Sequence, residues 1–236
     1  MKLELIVPTT LNEIPLDHYQ KFMAVSESNT DDNFIAEKMI QYFCGIELKD
    51  VVHIKATDLF SMVEHFNKLF TKDPKFIPTF KIAGVDFGFI PNLEEISLGE
   101  YADINGYLND ISKLHNLMAV LYRPITKKNK GNQYLIEEYK GSITYADVMK
   151  YAPLDVCLGA KVFFYNLKNE LLNALSLYLS KQEKQIQTLA RKHNLPNNGD
   201  GIRQSIDLLR GTLEGLTKSL DWNYSSALPS LCLKHN

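Results

Sequence analysis

The chain has 236 residues, is 45% hydrophobic and 23% charged, and carries a formal net charge of −2 with a sequence pI near 6.3. Such a balance suits a soluble globular protein of one large or two small domains, and its mild acidity gives no general attraction to nucleic acid or anionic lipid. Cys44, Cys157 and Cys232 are odd in number and far apart, so neither a disulfide framework nor a zinc site follows from them.

Lys2 to Val7 alternates and is rich in Leu, Ile and Val, which predicts a short strand ended by Pro8. The same stretch is too short and too charged for a signal peptide. No window approaches about 18 apolar residues free of charge, so no bilayer span is expected and a reducing, cytosolic setting is. Pro15 at a first helical position opens a helix with Leu16, Tyr19, Phe22 and Met23 on its apolar side. Asp31 or Asp32 caps the next, which presents Phe34, Ile35, Met39, Ile40 and Phe43 and stops at Gly45. Val51 to Ala56 leans toward a strand, and Thr57 is placed to cap a helix reaching Phe70.

The clearest β signal comes next. Thr79 to Ile82 and Val85 to Ile90 are two alternating runs separated by Ala83-Gly84, a hairpin in which Gly84 takes a positive φ. Pro78 and Pro91 bracket it and confine it to an edge or a small sheet. Ser97 and Glu100 have the spacing of a capping box. Asn105 to Tyr122 reads as one helix stopped by Arg123-Pro124. The polar segment to Gly141, with Lys127, Lys128 and Lys130, reads as a solvated loop. Thr144 caps a helix that ends near Tyr151.

From Pro153 to Lys192 the sequence supports a single helix of roughly 60 Å at about 1.5 Å rise per residue. Its first half, Leu154 to Phe164, is apolar around most of its circumference and so predicts burial on all sides. Beyond that, Leu167, Leu171, Leu172, Leu175, Leu179, Ile186 and Leu189 keep one stripe, against a polar side of Asn166, Lys168, Asn169, Glu170, Asn173 and Ser176. The helix therefore starts in a core and continues as an arm. Asn194 to Gly199 is dense turn chemistry, and Ile202, Ile206, Leu209, Leu213, Leu216 and Leu220 then recur at steps of four and three, an a/d seam. Two helices with matching stripes across a turn form an αα-hairpin. The expected class is predominantly α-helical α+β: a small β-hairpin or sheet with packed helices, a long C-terminal helix and the hairpin. The expected divisions are a mixed core domain over 1–165, a helical hairpin over 166–220 and an extended tail over 221–236.

Chemistry is sparse. The six histidines lack metal spacing, and Glu64-His65 lacks the second histidine of a helical zinc site. There is no Gly-x-Ser-x-Gly elbow or Walker-type loop, and Gly199-Asp200-Gly201 reads as a helix cap because Asp200 repels phosphate. No catalytic residue, metal or cofactor is expected. Interaction residues are better marked: Gly211 and Gly215, four apart, either permit close approach of another helix or leave their own helix frayed, while Leu179, Ile186, Leu189 and Trp222 are apolar positions available to a partner.

Several stretches resemble a known group. They are Met39-Ile40-Gln41-Tyr42-Phe43-Cys44-Gly45-Ile46, then Phe87-Gly88-Phe89-Ile90-Pro91-Asn92-Leu93 with Ile96-Ser97-Leu98-Gly99-Glu100-Tyr101. Met118-Ala119-Val120-Leu121-Tyr122-Arg123-Pro124-Ile125 and Leu158-Gly159-Ala160-Lys161-Val162-Phe163-Phe164 complete the set. Together they resemble tailed-bacteriophage proteins encoded with virion morphogenesis genes, tail-assembly-chaperone-like or structural, over roughly residues 1 to 180. The resemblance implies a non-enzymatic protein acting in the infected host cytoplasm during assembly or residing in the virion. Its implied partners are further copies of itself and other phage structural or tail proteins such as the tape measure; no membrane partner is expected, and a nucleic-acid-packaging role is disfavoured by the mild acidity. The alternative is a small ligand-binding domain or enzyme with a pocket under the 76–90 hairpin, lined by Phe87, Phe89, Tyr101 and Arg123.

Overall fold

A computed structural model describes residues 5–129 and 133–192, together with Leu208 and Gly211. The chain divides into two compact units, with the boundary between Lys161 and Val162. The fold is predominantly helical α+β with a small antiparallel sheet of four strands.

In the first unit, α1 (Leu16–Glu27), α2 (Asp32–Phe43), a short α3 (Leu48–Val51) and α4 (Ala56–Phe70) build one helical layer. Asp31 caps α2 by accepting from the Asn33 and Phe34 N–H groups, and Gly45 just past its end has φ +65°. The apolar spacing read from the sequence packs these helices through rings. Phe22 and Phe66 each meet Phe43 edge-to-face, at 5.0 and 5.2 Å between centroids, and Tyr19 stacks on Phe70. Such pairs add roughly 0.5–1.5 kcal/mol beyond their buried area.

The sheet follows in the order β1 (Thr79–Ile82), β2 (Val85–Phe89), β3 (Tyr122–Lys128), β4 (Tyr134–Ile136), each strand antiparallel to its neighbour. Ala83 at φ 48° and Gly84 at φ 84° make the tight turn of the first hairpin. Phe80 opposes Phe87, and Phe89 opposes Tyr122, so one face of the sheet is a row of rings. On the other face Gly88 leaves the slot filled by the Tyr134 ring, whose single hydroxyl proton is shared between the carbonyls of Phe89 at 3.0 Å and Pro78 at 3.2 Å. Against the sheet lie α5 (Leu98–Tyr107), α6 (Leu114–Leu121) and α7 (Ile143–Met149), and then α8 (Leu154–Lys192) begins. The chain near its start is tied to this late segment. Pro15 bridges Pro153, Leu16 N–H donates to Ala152 O, Asp17 N–H to Lys150 O, Leu154 N–H to Ile14 O, and Asn12 to the Asp155 carboxylate.

Five local expectations are corrected. Residues 5–8 form no strand and pair with none among the described residues, and His65 Nε2 instead meets the Pro8 carbonyl at 2.8 Å; residues 1–4 lie outside the described set. The 51–56 stretch has no strand either, since α3 and α4 nearly abut there and Lys55, not Thr57, is the N-cap. The single helix over 105–122 is two. The Asp110 carboxylate captures the Ser112 N–H and hydroxyl, which starts a 3₁₀ turn at Ile111–Lys113 and breaks the run. Arg123-Pro124 does not stop a helix but lies within β3, and the polar segment after it carries β4; Lys127 and Lys128, expected in a solvated loop, are the exposed end of β3, Lys128 pairing with Asp86 at 2.8 Å. Finally, Ser142 rather than Thr144 precedes α7.

In α8, Leu154, Val156, Cys157, Leu158 and Ala160 are at most 1% exposed, while Val162, Phe163 and Phe164 are half-buried. Burial on all sides therefore ends at Lys161, a turn earlier than the apolar composition alone predicts.

Candidate functional site

Titratable side chains come together at one place in the first unit, between α5 and β3. The capping box forms as read: the Ser97 hydroxyl accepts from the Glu100 N–H, and Glu100 Oε2 accepts from the Ser97 N–H at 2.7 Å. The other carboxylate oxygen receives Arg123 Nη2 at 2.7 Å, with both side chains under 10% exposed. Burial pushes the Glu100 carboxyl up, but the Ser97 donors and the Arg123 guanidinium outweigh it and hold it below the usual carboxylate range. Tyr139 lies under the guanidinium, its ring centroid 5.6 Å away, and donates its hydroxyl to Asp103, a contact that together with burial drives its own ionisation far up. Arg123 Nε has no hydrogen-bond partner among the described residues.

The Glu100–Arg123 pair within it is self-neutralising, one carboxylate against one guanidinium, each held by the fold. Of the four side chains expected to line a pocket, Phe87 and Phe89 are packed among Phe76, Phe80, Tyr122 and Tyr145, Tyr101 is more than half exposed, and Arg123 is bound to Glu100. Lys161, in α8, is buried, and desolvation lowers its amine to about 8 against the opposing pull of Asp110. Burial pushes the Cys44 thiol up to about 11 and holds Cys157 well above its ordinary value. No group of three or more His, Cys, Asp or Glu residues able to hold a metal occurs among the described residues, and no described helix is long and apolar enough to cross a membrane.

The second unit presents a different kind of feature. Along α8, Leu167, Leu175, Leu177 and Tyr178 are 40%, 42%, 74% and 57% exposed. At about 3.6 residues per turn, Leu167, Ala174, Leu177, Tyr178 and Lys181 share one side of the helix, and Asn169, Leu179 and Ser180, all half-buried, share the other. Of the leucine stripe read in the sequence, Leu179 is half-buried, Leu167 and Leu175 are exposed, and the side chains of Leu171, Leu172, Ile186 and Leu189 lie outside the described residues; of the polar side, Ser176 is exposed and Asn169 half-buried.

Of the residues singled out in advance, Leu179 is half-buried on the covered side. Gly211 is helical and exposed, with nothing within 4 Å of where a Cβ would stand, and helical Leu208 beside it is 74% exposed. Ile186 and Leu189 lie on α8, but their side chains, like Gly215 and Trp222 altogether, are outside the described residues. Sequence reading missed Leu177 and Tyr178. Their signal was a second series on the same helix, 167, 170, 174, 177, 181, hidden because it mixes charged and small residues with the aliphatic ones. Compared with protein-family models, with curated proteins and with solved structures, the chain matches none.

Proposed function

We propose that the protein is a non-enzymatic assembly or structural protein of a tailed bacteriophage, working through helical contacts with its own copies and with other phage structural or tail proteins. The observation that carries the interaction part is the open apolar row of α8: a helix that keeps Leu177 and Tyr178 more than half exposed has side chains that gain by being covered. The phage part is supported by the resemblance of the packing motifs between Met39 and Phe164. The compact, mutually neutralised Glu100–Arg123 pair is in keeping with a structural role for this buried ion pair.

The test is genetic and then analytical. Stopping translation of this chain in the phage that encodes it should arrest virion assembly, with tails absent or of wrong length, and mass spectrometry of purified wild-type particles then separates a resident protein from one that leaves. Normal yields of normal particles without the chain would overturn the proposal.

A further inference from the structure

We infer that the open side of α8 over residues 167–184 docks on the same side of a second copy of this chain, the two helices running antiparallel. This rests on the assembly reading and supplies one of its partners. The row Leu167, Glu170, Ala174, Leu177, Lys181, Lys184 advances by three and four residues alternately, the rhythm of a helix–helix seam, and all six are exposed.

Charge and size select the geometry. In an antiparallel pair centred between Leu175 and Ser176, position 170 faces 181, because both lie equally far from the centre, and 174 faces 177. Glu170 then meets Lys181 of the second copy, and the two-fold repeats that pair. Ala174 likewise meets Leu177 of the second copy, small against large, also twice. Leu167 lies against the aliphatic stem of Lys184 of the second copy, and Tyr178 flanks the seam. A parallel pair would set Glu170 against Glu170 and Lys181 against Lys181. Sliding the antiparallel pair by a whole heptad would put Leu177 opposite Lys181 and leave Glu170 without its cation, and sliding it by half a heptad would give Glu170 the Lys184 cation but set Ala174 against Lys181. The antiparallel register centred between Leu175 and Ser176 is the one that joins both Glu170–Lys181 pairs to both Ala174–Leu177 pairs, the kind of charge and size matching that selects a geometry in paired helices. The seam spans roughly 26 Å of helix at about 1.5 Å per residue, so the dimer is concentration-dependent rather than permanent.

Charge reversal on the full chain tests this by sedimentation velocity over a concentration series. Wild type should show a monomer–dimer equilibrium. Glu170→Lys and Lys181→Glu should each weaken it by about tenfold or more through like-charge contact, an equimolar mixture of the two should associate again as a heterodimer, and the double variant should regain the homodimer. Both positions are exposed, so single variants should keep the wild-type circular dichroism and melting at low concentration. A wild-type chain that stays monomeric, an oligomer other than a dimer, single variants that associate as tightly as wild type, or a mixture that fails to associate would each overturn the inference. A monomeric chain whose loss still arrests virion assembly would sink only the self-docking. A dimer that behaves as described, in a phage that assembles normally without it, would sink only the assembly reading.

Discussion

Gly159 shows how much a single residue can hide from sequence. On its own it reads as a weak point in α8, since glycine costs about 1 kcal/mol relative to alanine inside a helix. In the fold, a Cβ there would stand closer to the Lys75 carbonyl oxygen than Cβ atoms come to any atom, and 3.0 Å from that carbonyl's carbon. The glycine lets the Lys75-Phe76 backbone lie directly on the helix, and Phe76 then meets Phe89 edge-to-face at 4.8 Å. Gly88 also fills a tight place, but what it faces is a side chain, Tyr134, which can turn aside. Gly159→Ala should therefore destabilise by about 3 kcal/mol, at the upper end of what overpacking does, in spite of the better helix former. Urea denaturation reads this as a lower midpoint, and a loss below about 1 kcal/mol would mean that the 75–76 segment relaxes at little cost. Asp31 and Ala83-Gly84 were legible beforehand because cap and turn are settled by neighbours in sequence. Gly159 was not, because what it accommodates is far earlier in the chain.

At the level of elements the same division holds. The hairpin of β1 and β2, the capping box of α5 and the helices α1, α2 and α4 declare themselves by local period and punctuation. β3 and β4 do not: Tyr122 continues the apolar run of α6, and the partner that turns it into a strand is β2, more than thirty residues away. Arg123 looked like a helix end and is instead the link between β3 and α5. That link has a measurable weight. Arg123→Met leaves the Glu100 carboxylate buried without its cation and should cost about 3–5 kcal/mol. Adding Glu100→Leu should recover part of the loss by removing the stranded charge, though not all, because Glu100 also satisfies the Ser97 N–H. A double-mutant cycle by chemical denaturation measures the coupling, and additive single costs would show that the two buried side chains do not stabilise one another.

For the whole molecule, the expected class was readable because helical and alternating periods dominate the composition of their segments. The exposed positions Leu177 and Tyr178 of α8 were not, because they lie in a series that mixes charged and small residues with aliphatic ones. Candidate contact residues beyond Lys192 other than Gly211 stay expectations of the sequence. The two units differ in what sustains them. The first contains the ring-packed helices, the sheet and the fully buried turns of α8 to Lys161. A chain ended after Tyr165 should therefore keep a cooperative melt and the near-ultraviolet dichroism of its packed tyrosines, and lose the concentration-dependent association of the full chain. Retained association in the shortened protein would move the contact surface to the first unit.

The ties between residues 12–17 and 150–155 also set an order in time. On the ribosome, α1 can pack on α2 and α4 early, but the backbone bonds from Ile14, Leu16 and Asp17 wait for the segment from Lys150 to Leu154 to emerge. The first unit thus closes only as α8 is being made. By the time Leu177 and Tyr178 leave the tunnel, the earlier apolar surfaces are already becoming occupied, and what the newborn helix meets next is decided by the company it keeps in the cell rather than by its own chain.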